Sequence, residues 1–451
     1  MTRSVLQTDL YQLTMAAGYF HRGLADTRAT CEMFFRRLPP ARRYLVLAGV
    51  EAAVDAIADL HFTEADIAFL RDEVPALSEV MTDEFCDYLR QFRFHGDVWA
   101  ADEGTPWFAQ APALRVEADI IEAQLVETLL LSIINHHTMI ASKAARIVRA
   151  AEGRAVLEFG TRRTHPEAAI DVARNAYLVG AVGTSNVEAG RRFGIPLSGT
   201  AAHMWTMTHD SETQAFANYV ATFPAYAILL IDTYDTVRGA KRAAEVAGAS
   251  LRGVRLDSGD LGALAAEVRA VLDDAGCGDT QIVASGDLNE YKIAALLDAG
   301  APIDVFGVGT ELACSKDAPA LGGVYKVTQF RRGEHTTPVA KLSVGKATYP
   351  GAHQVFRRFD DQGSPVGDRI ALTDEPALPG EQGLLVPQLA GGARVAHRRE
   401  LSALREETTA QLSRLSAWLS DLADPETPYP VTLSSGLEAA VASFQQGQVA
   451  S

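Results

Sequence analysis

No window of this 451-residue chain approaches the ~20 consecutive apolar residues needed to cross a bilayer, which excludes a membrane-spanning helix. Its first residues lack a basic segment leading into an apolar run and a small-residue cleavage site, so a soluble protein of the cytoplasm is expected. Cysteine is scarce. Cys31, Cys86, Cys277 and Cys314 show no CxxC spacing, which argues against structural zinc and fits buried thiols in a reducing compartment. Positive charge is also short, with 41 lysines and arginines against 57 aspartates and glutamates. The formal charge of -16 removes long-range attraction to nucleic acid or an anionic membrane, so an anionic small substrate would need a local basic pocket. Neither an internal repeat nor a low-complexity tract occurs. Apolar residues are abundant, at 47% of a length that exceeds one ordinary core, so two domains plus an appendage are expected.

Four compositional zones follow one another. Residues 1 to about 110 mix strand-like pieces (Thr30–Phe35, Tyr44–Leu47, Gly96–Trp99) with helical periodicity at Val50–Ile57. From Ile120 to Ala151 the apolar spacing is helical, with Lys143, Arg146 and Arg149 towards the end, where cations suit the helix dipole; Lys143 and Arg146 either assist phosphate binding or form a solvated face. Between about 152 and 320, strand and helix patterns alternate. The strand candidates are Ala155–Phe159, Tyr177–Gly180, Ile195–Leu197, Ala227–Ile231, Gly253–Leu256, Gln281–Ala284 and Ile303–Phe306, with Leu114–Glu117 as a possible eighth. That rhythm predicts an irregular TIM-like β/α barrel, with an open doubly wound sheet as the alternative. From about 321 the chain is again strand-like and turn-rich, including Lys341–Lys346, before an amphipathic helix over Arg398–Leu422. The expected organisation is an α+β domain over 1–112 completed by about 325–395, a barrel over 113–324, and a helical extension over 396–451.

Apolar runs in the third zone break abruptly into polar groups, as strands do beneath an active-site mouth. Gly160, Gly183, Gly199, Gly259, Gly286, Gly307 and Gly309 follow such runs, where a missing Cβ admits a ligand or simply makes a βα turn. Thr184, Ser185, Thr200, Ser258, Ser285 and Thr310 suit phosphate oxygens or helix N-caps. Asp232, Asp235, Asp257, Asp260 and Asp287 could hold Mg²⁺ through water or take ribose hydroxyls, Asp260 being equally suited to cap a helix. Arg162, Arg163 and Arg255 on the same rim imply an anion. His203 stands at a strand end as base, nucleophile or spectator. The pattern describes an enzyme for a phosphorylated, magnesium-complexed ligand and a second anion, without naming the reaction.

Ten segments, in order, resemble nicotinate phosphoribosyltransferase: TDLYQLTM (8–15), FFRR (34–37), EFGTRR (158–163), GTSN (183–186), GTAAH (199–203), RLDSGD (255–260), ASGD (284–287), FGVGTEL (306–312), YPGAHQV (349–355) and YPV (429–431). The resemblance implies a type II phosphoribosyltransferase of NAD salvage. It would convert nicotinate and phosphoribosyl pyrophosphate to nicotinate mononucleotide and pyrophosphate, coupled to ATP hydrolysis. It further implies a homodimer in which Tyr11 reaches the other chain's site and, with Phe159, sandwiches the pyridine ring. Arg162 and Arg255 would face the carboxylate and phosphates. Thr184 and Ser185 would line the substrate, Ser185 replacing the aspartate of the nicotinamide enzyme and so favouring the acid. Ser285, Gly286, Gly307, Gly309 and Thr310 would cradle the 5′-phosphate. Asp257 and Asp287 would serve ribose and catalysis, with Asp287 and, more weakly, Asp232 on Mg²⁺. His203 corresponds to the family's phosphorylated histidine. A nicotinamide- or quinolinate-type phosphoribosyltransferase is the alternative.

Overall fold

The computed structural model describes residues 4–343, 345–423 and 427–450. They divide into two compact units, Met1–Met139 with Ala320–Ser451, and Ile140–Pro319.

The first unit is built on a seven-stranded antiparallel sheet in the order His335–Pro338, Gly323–Arg332, Arg28–Phe35, Pro112–Asp119, Asp97–Ala100, Val386–Ala390 and Ala393–Arg394. The Arg28–Phe35 strand is central and buried along almost its whole length, which explains its run of Cys31, Met33, Phe34 and Phe35. Such burial leaves no room for an unpaired charge, and Glu32 accordingly accepts from His353 at 2.7 Å. A four-stranded sheet of Glu381–Gly383, His353–Phe359, Pro365–Leu372 and Val431–Leu433 carries a buried fork in which Arg357 donates to both oxygens of Asp368 at 2.7 and 2.8 Å.

Three sequence expectations need correcting here. Leu114–Glu117 does form a strand, but within Pro112–Asp119, paired antiparallel to Arg28–Phe35 and Asp97–Ala100, so it is no eighth barrel strand. A strand's local pattern does not say which neighbour it will pair with. Lys341–Lys346 makes no strand among its described residues, Val344 lying outside them. The Arg398–Leu422 helix is two, Leu401–Ser413 and Ala417–Ser420, because Ser416 takes extended backbone and caps the second by accepting from the Leu419 N–H.

The second unit holds a six-stranded parallel sheet in the order Gly183–Thr184, Ala155–Glu158, Val305–Val308, Gln281–Ala284, Gly253–Leu256 and Ile228–Leu230. Leu197 adds a parallel bridge to Thr184 at one edge. The outermost members do not pair with each other among the described residues, so the ladder is not closed. Tyr177–Gly180, a strand candidate, instead ends the helix Pro166–Leu178; Ala169, Val172, Ala173 and Ala176 set a three- and four-residue buried stripe that the C-cap Val179 continues. The strand itself is Gly183–Thr184. Helix N-caps claim several polar residues: Asn186, Asp235 and Asp260 accept from the N–H groups of Ala189, Arg238 and Ala263. Lys143 is neither solvated nor a phosphate contact in this fold. It is buried, 2.6 Å from Glu290 and 2.9 Å from Asp317.

No helix among the described residues is long and apolar enough to cross a membrane. Cys31, Cys86 and Cys277 are buried free thiols and Cys314 is partly exposed.

Candidate active site

Parallel strands end together, so the residues that leave them share one rim. In the second unit these ends surround a cavity of about 280 Å³. Phe159, Arg162, Ser185, His203, Arg255 and Asp257 line it, with Thr161, Thr200 and Leu230 among the rest. Hollows of about 360 and 430 Å³ in the first unit are larger, but neither is lined by a histidine or by strand-end motifs. A groove of about 650 Å³ between the Leu261–Asp274 and Glu290–Asp298 helices is lined mostly by Gly, Ala and Leu.

Phe159 forms one wall. Its ring lies directly on Gly307, where an added Cβ would come within 2.6 Å of a ring carbon. Gly307 is therefore the seat of an aromatic ring. The Phe159 N–H donates to Val308 O at 2.8 Å, and the next turn, Thr161–Arg163, leaves the Arg162 guanidinium exposed at the mouth. On the neighbouring strand end, Ser185 is exposed and its N–H donates to Glu158 O at 3.1 Å. Thr184 points elsewhere: it is buried and donates to Glu158 Oε2 at 2.6 Å.

The far wall is a polar network. Arg255 donates through Nε to Ser285 Oγ at 2.8 Å, through Nη1 to Thr200 Oγ1 at 2.9 Å and through Nη2 to Asp257 Oδ1 at 2.7 Å. Ser285 donates to the same Asp257 oxygen at 2.5 Å. Burial alone would raise the Asp257 carboxyl, but the Ser285 hydroxyl and the Arg255 charge outweigh it and hold the group below the usual carboxylate range. Arg255 also sits 5.7 Å over the Phe159 ring, within cation–π reach. The three donor groups of this guanidinium are thus committed to protein, and Arg162 is left as the guanidinium of the cavity wall with no ion pair among the described residues.

His203 begins the short helix His203–Met207. Its Nδ1 lies 3.2 Å from Thr233 Oγ1, and its Nε2 lies 3.9 Å from both Asp232 Oδ1 and Asp257 Oδ2. Pattern reading did not single out Thr233; its place in the Asp232-Thr-Tyr-Asp235 strand end was the available signal. Asp232 is almost wholly buried, and its Oδ2 accepts from Ser258 Oγ at 2.6 Å and Asp257 N at 3.1 Å. Its Oδ1 is buried without a hydrogen-bond partner.

Gly286, Asp287, Gly309 and Thr310 lie beside the cavity rather than on its wall. Gly286 has φ +100, and a Cβ there would stand 2.3 Å from Asp257 O. Asp287 is exposed at φ 49, its carbonyl accepting from Lys292 Nζ at 2.9 Å. Gly309 packs on the Phe159 carbonyl, and Thr310 opens the Thr310–Ala313 turn. Tyr11 belongs to the first unit, half exposed on the Leu10–His21 helix. Of the four groups expected around one ligand, Arg162, His203 and Asp257 share the hollow; Asp287 is on the adjoining loop that Ser285 ties to Asp257.

No three His, Cys, Asp or Glu side chains among the described residues are grouped to hold a metal by themselves. The donors present still suit Mg²⁺, which keeps several waters and binds through one or two carboxylates plus substrate phosphates. The unpartnered Asp232 oxygen is the observation that fits.

The fold and cavity define an α/β protein whose parallel-strand ends gather an aromatic ring, arginines, a carboxylate and an imidazole around one cavity. Residues 6–135 match the model of the nicotinate phosphoribosyltransferase (NAPRTase) N-terminal domain, and residues 155–355 match that of the nicotinate phosphoribosyltransferase (NAPRTase) family. A nicotinate phosphoribosyltransferase of Mycobacterium tuberculosis is 44% identical over 99% of this chain and 95% of its own. One from Bacillus subtilis is 43% identical over 82% of this chain and 76% of its own. Human nicotinic acid phosphoribosyltransferase superposes with a TM-score of 0.85 at 28% identity, covering 97% of this chain and 99% of the human one. The chain belongs to the nicotinate phosphoribosyltransferase family.

Proposed function

We propose that this chain is a nicotinate phosphoribosyltransferase that makes nicotinate mononucleotide and pyrophosphate from nicotinate and phosphoribosyl pyrophosphate, an NAD salvage reaction. The carrying observation is the cavity in which an aromatic wall (Phe159), a free guanidinium (Arg162) and a free serine hydroxyl (Ser185) face an ionised carboxylate (Asp257) and His203. Phe159 would stack on the pyridine ring while Arg162 and Ser185 take its carboxylate. N1 of the ring attacks C1 of the ribose as the bond to pyrophosphate breaks. The transition state has oxocarbenium character, and Asp257, ionised through the working pH range, faces the developing positive charge. Bound Mg²⁺ would stabilise the leaving pyrophosphate, with Asp232 and the exposed Asp287 the residues available to hold it, directly or through water. Gly286, Gly309, Thr310 and Ser285 remain the proposed 5′-phosphate side, while Gly307 lies under the Phe159 ring.

His203 is proposed to couple the reaction to ATP: an imidazole nitrogen attacks the γ-phosphorus, ADP leaves, and water later releases phosphate from the histidine. A homodimer is part of the same reading, with Tyr11 of the partner subunit closing the second face of the ring; the exposed Leu10, Tyr11 and Met15 support it. So is an irregular barrel for the second unit, supported by its succession of parallel strands and helices, and a cytoplasmic location, supported by four free thiols. A dicarboxylate such as quinolinate would ask for two free cations, and Arg255 is already committed to Asp257, Ser285 and Thr200.

The test is mononucleotide formation from nicotinate, nicotinamide and quinolinate, each with and without ATP. Nicotinate should be strongly preferred and ATP should stimulate; His203→Ala should abolish the stimulation and leave slow transfer. Equal use of nicotinamide would overturn the substrate assignment, and undiminished ATP stimulation in His203→Ala would overturn the coupling.

A further inference from the structure

Glu158 is the most deeply buried carboxylate near the cavity, and the mechanism above gives it no task. It is fully buried, and no Lys, Arg or His among the described residues forms an ion pair with it. Burial pushes its carboxyl above the ordinary range, the hydrogen bonds from Thr184 and Gly160 opposing the shift. A carboxylate so placed is costly unless its oxygens are occupied. Both are: Oε1 accepts from the Gly160 N–H, and Oε2 accepts from Thr184 Oγ1 at 2.6 Å. Thr184 Oγ1 itself accepts from the Asn186 N–H at 3.0 Å, so its single proton is directed to Glu158. The Glu158 carbonyl takes the Ser185 N–H at 3.1 Å.

These bonds reach two neighbouring loops of the cavity wall, which leave the paired strands Ala155–Glu158 and Gly183–Thr184. Gly160 joins Phe159 to Arg162, and Thr184 to Asn186 brackets Ser185. Gly160 is packed so closely that an added Cβ would stand 2.4 Å from Ala313 Cβ and 2.9 Å from Glu158 Oε1, so that loop has no freedom of its own to compensate. The opposite network of Arg255, Asp257 and Ser285 shares no bond with Glu158.

We propose that Glu158 is a positioning residue that fixes the spacing between Phe159 with Arg162 and Ser185, and so sets affinity for the planar acid without acting on the sugar-phosphate substrate. The inference rests on the nicotinate assignment above. Glutamine cannot replace it, because two donors, the Gly160 N–H and the Thr184 hydroxyl, aim at oxygens that must both accept, and glutamine offers one acceptor. Loss of one buried bond that holds a wall should loosen nicotinate about tenfold, or about 1.4 kcal/mol.

Steady-state kinetics on full-length wild type, Glu158→Gln, Thr184→Val and Thr184→Ser distinguish the possibilities. Nicotinate KM should rise about tenfold in Glu158→Gln and Thr184→Val while KM for phosphoribosyl pyrophosphate and kcat stay within about threefold, and Thr184→Ser, which keeps the hydroxyl, should return nicotinate KM to near wild type. A nicotinate KM unchanged in Thr184→Val, or both KM values rising together, overturns the proposal. If Glu158→Gln does not fold, the Thr184 pair decides alone. Absence of nicotinate turnover in the wild type would instead overturn the assigned activity, which keeps the two failures apart.

Discussion

Replacing Gly307 by alanine tests the ring seat with one methyl group. Gly307 is not among the residues with positive φ, so alanine fits its backbone and the consequence is purely one of space. The new Cβ would lie 2.6 and 2.7 Å from Cδ2 and Cε2 of Phe159 and 3.4 Å from Ser285 Cβ. Carbon atoms pack comfortably at about 3.5–4.0 Å, so the ring has to retreat by about 1 Å, away from the strand and into the cavity. Overpacking of this kind costs about 1–3 kcal/mol of stability, and a displacement of about 1 Å at a reacting centre lowers turnover by as much as ~100-fold. Gly307→Ala should therefore keep its fold, melt at lower temperature, and lose one to two orders of magnitude in kcat/KM for nicotinate. The double variant Gly307→Ala with Phe159→Leu should recover melting temperature relative to the single change, because the clashing ring carbons are gone, while activity stays low because the stacking face is gone too. A Gly307→Ala enzyme with kcat/KM for nicotinate within threefold of wild type would show that Phe159 does not carry the substrate ring.

Asp368→Ala should destabilise the chain by about 3–5 kcal/mol in urea unfolding, since it strands the buried Arg357 guanidinium; a loss under about 1 kcal/mol would refute the fork's importance. Asp257 has a folded pKa below its ordinary value, so its contribution to stability and to site charge is complete above the usual carboxylate range and fades only as pH falls through that depressed value. In Arg255→Lys, which cannot hold Asp257, Ser285 and Thr200 at once, the acid limb of the kcat/KM profile should move to higher pH; an unmoved limb would refute Arg255 as the group that keeps Asp257 ionised.

Strand ends of the second unit were legible because an apolar run closed by glycine and a polar group carries two local signals at once, as at Ala155–Glu158 before Gly160 and Gln281–Ala284 before Gly286. Tyr177–Gly180 misled because its apolar residues suit a strand taken alone and a helix stripe taken with Ala169 to Ala176. Arg162, His203 and Asp257 line one cavity, since residues that follow parallel strands have little choice of where to emerge.

Local chemistry thus determined which segments extend, which coil and which residue types stand at the mouth. Only the tertiary structure decided what those residues touch, because hydrogen-bond partners are chosen among groups far apart in sequence. Thr184 looks like a phosphate ligand until Glu158, 26 positions earlier, claims its proton. Lys143 reads as a solvated helix residue until Glu290, 147 positions on, buries its charge. Arg255 suggests a substrate cation until Thr200 and Ser285 take up its fork. In each case a buried polar group must find its counterpart, and folding alone brings that counterpart within reach.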